Sequence, residues 1–212
     1  GNMDRMLARE ETMFSPLLAT DRDKVLPVVN ASGSDSAMLD NTLEFLMMAG
    51  MDLPLAVMAC IPEPWRNDCT LSRSRRDLFH YYATLMEPWD GPAAILFSDG
   101  DVVGAVLDRN GLRPARYYLT DDSRLILSSE VGVLDIPPEH IVEKSRLRPG
   151  KMLLADLRQG QIIDDQELKE GYAARQPYGE WLDTNLLRLA DLPIPNQRVE
   201  RHSREELSRL QK

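Results

Sequence analysis

The hydrophobic positions in the first two-fifths of the chain recur at helical spacing. The serines of Ser34-Asp35-Ser36 offer capping side chains before one such stretch, and Gly50 follows its last turn as a helix-ending glycine does. The apolar face of this predicted helix consists of Leu39, Leu43, Leu46 and Met47. Further helices are predicted at residues 3–14, 53–62 and about 76–86.

From Gly91 onward the apolar positions form short runs separated by turn signals, a pattern typical of β-strands. Asp99-Gly100 between the first two runs is a strong hairpin signal. Because the runs are apolar at consecutive positions, we expect a sheet covered by helices on one face and by a second sheet on the other. We predict a four-stranded antiparallel meander followed by a separate hairpin. The meander comprises residues 93–97, 102–107, 115–119 and 125–129, and the hairpin 152–156 and 161–163.

The apolar density drops after about Lys169, and three prolines interrupt the segment 176–212. Its charged end, residues 201–209, favours a solvent-exposed helix. We interpret residues 171–212 as a connecting arm and residues 1–170 as a domain.

Composition narrows the class of protein. The 212 residues carry a formal net charge of −9 and are 43% hydrophobic, as in a globular chain of one domain with appendages or two small ones. The acidic balance argues against nucleic-acid binding. Charged residues, glycine and proline interrupt the longest apolar region, so we expect no membrane span. No signal peptide is apparent at the start, so a cytoplasmic location is expected.

Side chains with obvious chemistry are few. Cys60 and Cys69 belong to no Cys/His cluster, so no metal site is expected, and the three histidines lie far apart without a nucleophile. For Asp35 two interpretations stay open: a helix N-cap, or a carboxylate presented to a cation at a loop tip. Residues 108–114 read as a hairpin turn around Asn110-Gly111. The residues alone therefore indicate an α+β domain and no specific activity.

Longer segments, taken in order, resemble the amidotransferase domain of the glutamate synthase family, a class II glutamine amidotransferase of the N-terminal-nucleophile type. The resemblance covers nearly the whole chain. It rests on Gly33-Ser34-Asp35-Ser36-Ala37 with Asp40-Asn41, on Glu87-Pro88-Trp89-Asp90-Gly91 within 85–93, on Asp108-Arg109-Asn110-Gly111-Leu112-Arg113-Pro114 within 104–118, and on residues 129–139, 149–152, 162–165 and 178–182.

The resemblance implies an αββα sandwich of two antiparallel sheets, incomplete here at the N-terminus. It implies that an N-terminal cysteine attacks the side-chain amide of L-glutamine and that ammonia passes to 2-oxoglutarate in another synthase domain. It also implies FMN and an iron–sulfur cluster in the full-length enzyme, with no cofactor held by this chain. Expected partners are the remaining synthase domains and a reductase subunit.

The resemblance also assigns site residues. It implies that Asp35 binds the α-ammonium group of glutamine and that Ser34 and Gly33 shape the same loop. Asn110, Gly111 and Arg113 are interpreted as structural support, fixing the hairpin beside the site.

The sequence departs from the family pattern at the residues that carry out catalysis. The sequence has no N-terminal cysteine and no Asn-Gly pair in the context of the family's oxyanion hole, so we expect no catalytic residue here and an inactive chain. Exposed sheet edges would favour a homodimer. Two alternatives stay open: a non-catalytic module that binds glutamine or a partner, and a stand-alone class II amidotransferase subunit.

Overall fold

The computed structural model describes residues 2–193 and 202–211 and contains helices and two antiparallel sheets. The α-helices are α1 Met6–Arg9, α2 Arg22–Val25, α3 Asp35–Met48, α4 Leu53–Cys60, α5 Arg73–Leu85, α6 Asp165–Ala173, α7 Tyr178–Asn185 and α8 Arg204–Leu210. The strands are β1 Ala94–Ser98, β2 Val102–Leu107, β3 Arg116–Thr120, β4 Leu125–Ser128, β5 Ile141–Arg146, β6 Met152–Asp156 and β7 Gln161–Ile163.

The three predicted helices α3, α4 and α5 are confirmed, and local chemistry explains their ends. After α3 the Gly50 N–H donates to the Met47 carbonyl at 2.9 Å and the Met51 N–H to the Leu46 carbonyl at 3.0 Å, with Gly50 at φ +97°. This pair of bonds satisfies the last carbonyls of the helix. The structure starts α5 three residues before the predicted residue 76, because Ser72 caps it and accepts the Arg75 N–H at 3.3 Å.

The N-terminal segment differs from the single helix predicted at residues 3–14. It forms 3₁₀ turns at Met3–Arg5 and Glu10–Thr12 on either side of the one α-helical turn of α1. Met3 and Met6 are buried in the main core. A segment this short gains its order from that packing rather than from helix propensity.

The predicted four-stranded meander is wrong, because its strands belong to two sheets. One sheet has the order β1-β2-β6-β7 and the other the order β4-β3-β5. Residues 108–115 therefore cross from β2 in the first sheet to β3 in the second. The hairpins β1-β2, β3-β4 and β6-β7 are confirmed with antiparallel pairing.

The central strands β2 and β6 of the first sheet are largely buried on both faces, as their consecutive apolar positions predicted, whereas the edge strands β1 and β7 expose Leu96 and Ile162. Phe97, Val106 and Leu154 share a core with helices α3, α4 and α5. Leu107 and Leu153 share a second cluster with residues of the β4-β3-β5 sheet or beside it, which are Ala115, Tyr117, Leu125, Leu127 and Leu147. Within the described residues, no helix combines the length and hydropathy required to cross a membrane.

Helix α7 lies in the predicted connecting arm and packs onto α5. Tyr178 and Leu182 are buried, and the ring of Tyr178 lies 5.2 Å from that of Tyr81. Helix α8, predicted at residues 201–209, is exposed along its length. Residue 201 lies outside the described residues.

Candidate functional site

Asp35 is the first residue of α3, and its neighbour Ser34 is the N-cap. The Ser34 hydroxyl accepts the backbone N–H of Ala37 at 3.3 Å. Capping is thus performed by the serine, and it does not by itself require an aspartate at position 35. The Asp35 side chain lies at the exposed N-terminal end of the helix, where the helix dipole favours a carboxylate.

The turn before α3 is organised around Asn30. Its side-chain oxygen accepts the backbone N–H of Ser32 at 3.1 Å and the Ser32 hydroxyl at 2.7 Å, while its carbonyl accepts the Gly33 N–H at 2.8 Å. A Cβ at position 33 would lie 3.1 Å from the Asn30 carbonyl oxygen, tighter than a side chain normally packs. Gly33 therefore allows the turn to close directly before Ser34 and Asp35.

Two side chains from other parts of the chain hold this turn. The Val29 N–H donates to the buried carboxylate of Glu10 at 3.1 Å, and the Asn30 N–H donates to the side-chain oxygen of Asn41 at 3.2 Å. Neither Glu10 nor Asn41 was predicted as a site residue. Asn41 follows Asp35 by six residues, and nothing in that spacing shows that its side chain reaches back to Asn30.

The N-terminal segment is bonded to the corner formed by residues 87–90. The Asn2 side chain donates to the Pro88 carbonyl at 3.0 Å and accepts the Asp90 N–H at 2.8 Å. Arg9 donates to both carboxylate oxygens of Glu87, the shortest bond being 2.6 Å. The hydrogen bonds from Arg9 hold the pKa of Glu87 below its ordinary value. Segments far apart in sequence thus meet here.

Asp108 fixes the predicted support residues at the start of the crossing between the sheets. Its buried carboxylate accepts the backbone N–H groups of Ala93 at 3.0 Å, Asn110 at 2.9 Å and Leu112 at 3.3 Å. Burial alone would raise the pKa of Asp108, but these N–H donors outweigh it and lower the pKa.

Asn110 and Gly111 do not form the predicted hairpin turn, because β2 and β3 do not pair. They form the first turn of the crossing, where the Gly111 N–H donates to the Asp108 carbonyl at 2.9 Å. Arg113 is exposed beyond this turn. The neighbouring Arg109 instead forms an ion pair with Asp90 at 3.0 Å. The carboxylate at the centre of this turn was not singled out from the sequence.

A cleft of about 890 Å³ lies between the 61–69 loop and the 87–90 corner. Trp65, Trp89 and Arg109 contribute to its walls. Neither the loop of Gly33, Ser34 and Asp35 nor the Asn110, Gly111 and Arg113 set is part of its lining among the described residues. The predicted glutamine residues and this cleft are thus separate features.

The surroundings of Cys60, Cys69, His80 and His140 do not indicate a catalytic site. Cys60 is fully buried, and burial raises the pKa of its thiol to about 12, so thiolate is scarce at neutral pH. Cys69 is exposed. His80 stacks on Trp65, and His140 pairs with Asp121 at 2.9 Å. The residues described by the structure hold no group of three or more His, Cys, Asp or Glu side chains suited to a metal ion.

Comparison with known proteins assigns this sequence to a family. The family model for class-II glutamine amidotransferases matches residues 1–181. Over 209 residues the chain is 48% identical to the glutamate synthase [NADPH] large chain of Bacillus subtilis (strain 168), covering 99% of this chain and 14% of that protein.

Glutamate synthases of other organisms give similar matches. Glutamate synthase [NADH] of Schizosaccharomyces pombe is 48% identical over 88% of this chain and 9% of its own length. Ferredoxin-dependent glutamate synthase 2, chloroplastic, of Arabidopsis thaliana is 43% identical over 89% of this chain and 12% of its own length. The chain thus spans about one-seventh or less of these relatives. Since the family model covers most of its residues, the chain belongs to the class-II glutamine amidotransferases.

Proposed function

We propose that this chain is part of the glutaminase domain of a glutamate synthase and that Asp35 binds the α-ammonium group of L-glutamine. The observation that carries the proposal is the 48% identity to a glutamate synthase large chain across 99% of this chain. A match that extends over nearly the whole chain supports a shared fold and a shared part of the enzyme, rather than a single shared motif.

The proposed chemistry is hydrolysis of the glutamine side-chain amide. An N-terminal cysteine, supplied by the rest of the polypeptide, attacks the amide carbon, and its own α-amine serves as the base. Ammonia leaves, and water hydrolyses the thioester to release glutamate. Ammonia then reacts with 2-oxoglutarate in another domain. The buried Cys60, with its raised pKa, is unsuited to the nucleophile's role.

Asp35 is suited to recognise an amino acid rather than a simple amide. Its carboxylate stands at an exposed helix start where Ser34 already provides the cap. A charge-assisted hydrogen bond from an ammonium group is stronger than a neutral one, so it favours substrates that carry that group. Gly33 and Ser34 act in the proposal by shaping the loop.

The proposal has a structural part as well. It includes an αββα sandwich. Three of the four layers are supported by the packing of helices α3, α4 and α5 on the first sheet and of that sheet on the second. Asn110 and Gly111 support the site in this proposal by forming the first turn of the crossing between the sheets. The supporting role of Arg113, which is exposed beyond this turn, stays a prediction. FMN, an iron–sulfur cluster and a reductase subunit belong to the full-length enzyme in this proposal. The cytoplasmic location and the homodimer stay predictions.

Substitution Asp35→Ala in the full-length polypeptide tests the assignment. We expect the KM for glutamine to rise roughly ten- to hundredfold, because a hydrogen bond to a charged group contributes about 1.5–3 kcal/mol. Glutamate synthesis from added ammonia should persist, because ammonia bypasses the glutamine pocket. Both activities are measured as glutamate formed from 2-oxoglutarate.

The matched control is Glu44→Ala, which removes an exposed carboxylate from the same helix. It should leave both nitrogen donors equally effective. Equal losses with glutamine and with ammonia in Asp35→Ala would overturn the assignment of Asp35.

A further inference from the structure

The carboxylate of Asp35 lies at the end of a loop whose backbone is held from two directions. Two consecutive N–H groups, those of Val29 and Asn30, are each bound by a side chain from elsewhere: Glu10 at 3.1 Å and Asn41 at 3.2 Å. Glu10 belongs to the N-terminal segment, whereas Asn41 belongs to the second turn of α3. The loop is thus tied both to the core and to the helix that begins with Asp35.

The two contacts differ in their surroundings. The Glu10 residue is 9% exposed, and its bond to Val29 is buried. The backbone carbonyl of Glu10 also accepts a bond from Arg22 at 3.2 Å. Asn41 is half-buried, and its bond to Asn30 is exposed to solvent. Loss of the Glu10 contact would leave a buried N–H unpaired and damage folding, whereas loss of the Asn41 contact releases a loop that water can solvate.

The hydrogen bonds within the Asn30 turn connect the backbone of Asn30 to the start of α3. The Asn30 carbonyl accepts the Gly33 N–H at 2.8 Å, and Gly33 leads directly through Ser34 into Asp35. A binding carboxylate supplies its full energy only when it is held close to its productive position. A shift of the Asn30 backbone therefore moves the Asp35 carboxylate relative to a bound substrate.

We propose that Asn41 is a positioning residue for glutamine, with Glu10 holding the other end of the same loop. Asn41 does not touch the substrate in this account. It fixes the Asn30 turn and thereby the place of Asp35. The inference rests on the proposed function, since it requires that Asp35 bind the α-ammonium group.

The test compares Asn41 variants of the full-length polypeptide with glutamine and with ammonia as nitrogen donors. We expect Asn41→Ala to raise the KM for glutamine about three- to tenfold, the effect of one net hydrogen bond, and to leave ammonia-dependent synthesis unchanged. Asn41→Asp keeps an acceptor oxygen at the same reach and should restore the KM to within about twofold of the unsubstituted value. Glu44→Ala on the same helix is the control for a general effect on α3.

A second, more conservative substitution at position 41 keeps the test valid if Asn41→Ala fails to fold. Asn41→Gln keeps the amide but moves its oxygen by one methylene, so we expect a KM between those of the unsubstituted enzyme and Asn41→Ala. Thermal unfolding of each variant is recorded alongside. A glutamine KM that is unchanged in both Asn41→Ala and Asn41→Gln would overturn the inference, as would equal losses with both nitrogen donors.

Asp35→Ala, measured in the same series, separates this inference from the proposed function. If Asp35→Ala raises the KM for glutamine and Asn41→Ala does not, the positioning role alone fails. If Asp35→Ala leaves the KM for glutamine unchanged, the assignment of Asp35 fails and the positioning role fails with it. The predicted result is a graded series, with Asp35→Ala the most affected and Asn41→Asp the least.

Discussion

At the scale of single residues, the carboxylate of Asp108 stabilises the crossing between the sheets. It is 2% exposed and accepts three backbone N–H groups. One belongs to Ala93, directly before β1, and the others belong to Asn110 and Leu112 in the turn after β2. The bond from Ala93 is buried, so its N–H would be left unpaired without the carboxylate, and the part-buried N–H groups of Asn110 and Leu112 would lose their partner as well.

Substitution Asp108→Ala should therefore lower the free energy of unfolding by about 3 kcal/mol or more, since an unsatisfied buried N–H costs about 1–3 kcal/mol. Urea unfolding followed by tryptophan fluorescence measures the change. Asp90→Ala is the matched control, because the Asp90 side chain forms an exposed ion pair with Arg109. Loss of this ion pair should cost less than about 1 kcal/mol. Equal effects of the two substitutions would contradict the role given to Asp108.

The lowered pKa of Asp108 also sets the sign of a pH effect. The pKa of this carboxyl is lower in the folded state than in the unfolded chain, where an aspartate has a pKa of about 3.9. Its contribution is full above the unfolded pKa and is lost as the pH falls through the folded pKa. The difference in stability between the unsubstituted chain and Asp108→Ala should accordingly shrink on going from neutral pH to about pH 3.

At this scale the sequence indicated which side chains could bind a ligand, but it did not indicate which residues would contact one another. It left Asp35 open between a cap and a binding group, and the structure assigns the cap to Ser34. It did not identify Glu10 or Asn41, because their contacts with Val29 and Asn30 join residues that are 19 and 11 positions apart. Such contacts depend on tertiary packing and leave no periodic signal.

At the scale of elements, Gly111 is required by the turn that starts the crossing. Its φ is +61°, and a Cβ there would collide with the ring of Pro149. Gly171 in α6 presents the opposite case, since a Cβ there meets nothing within 4 Å and its φ is not positive.

We expect Gly111→Ala to lower the free energy of unfolding by about 2 kcal/mol or more, because backbone strain and the collision add together. Gly171→Ala should raise it by up to about 1 kcal/mol, since alanine is the better helix former. Urea unfolding of both variants compares them directly. A loss of stability in Gly171→Ala, or none in Gly111→Ala, would contradict the described backbone.

Most strands and their hairpin partners could be predicted from local pattern, and the division of the strands between two sheets could not. The runs of β1 to β4 were correct to within about one residue, a margin typical of strand assignment. The predicted pairing of β2 with β3 was wrong because Asn110-Gly111 signals a turn equally well in a hairpin and in a crossing. Strand β5 was missed because Glu143, Lys144 and their neighbours are exposed and give no apolar run. It is specified mainly by its pairing with β3.

At the scale of the whole molecule, a buried ion network joins helix α6 to helix α5 and to the loops at Glu63 and Gly150. Lys169 of α6 is 1% exposed and donates to the Gly150 carbonyl at 2.8 Å, with Asp165 at 2.7 Å and Glu63 at 3.2 Å. Burial lowers the pKa of Lys169, opposed by the two carboxylates. Glu63 also pairs with Arg75 of α5 at 2.5 Å.

This network bears on the predicted boundary at residue 170. The boundary falls inside α6, and the buried residues Tyr172 and Ala173 follow it. Helix α7 then packs on α5 through an aromatic cluster that includes Tyr178 and Trp181. The low apolar density that suggested an arm concealed these contacts, because a few large aromatic side chains provide most of the packing. The division into residues 1–170 and 171–212 stays a prediction.

The central claim is the proposal that this chain provides part of a glutaminase whose nucleophile lies elsewhere in the polypeptide. The most direct measurement is glutamate release from L-glutamine by the full-length polypeptide that contains this chain, beside the 212-residue chain itself. We predict release by the full-length polypeptide and none by the 212-residue chain. Release by the 212-residue chain would place the nucleophile within these 212 residues and contradict the account. Release by neither would contradict the glutaminase account in favour of a non-catalytic binding module.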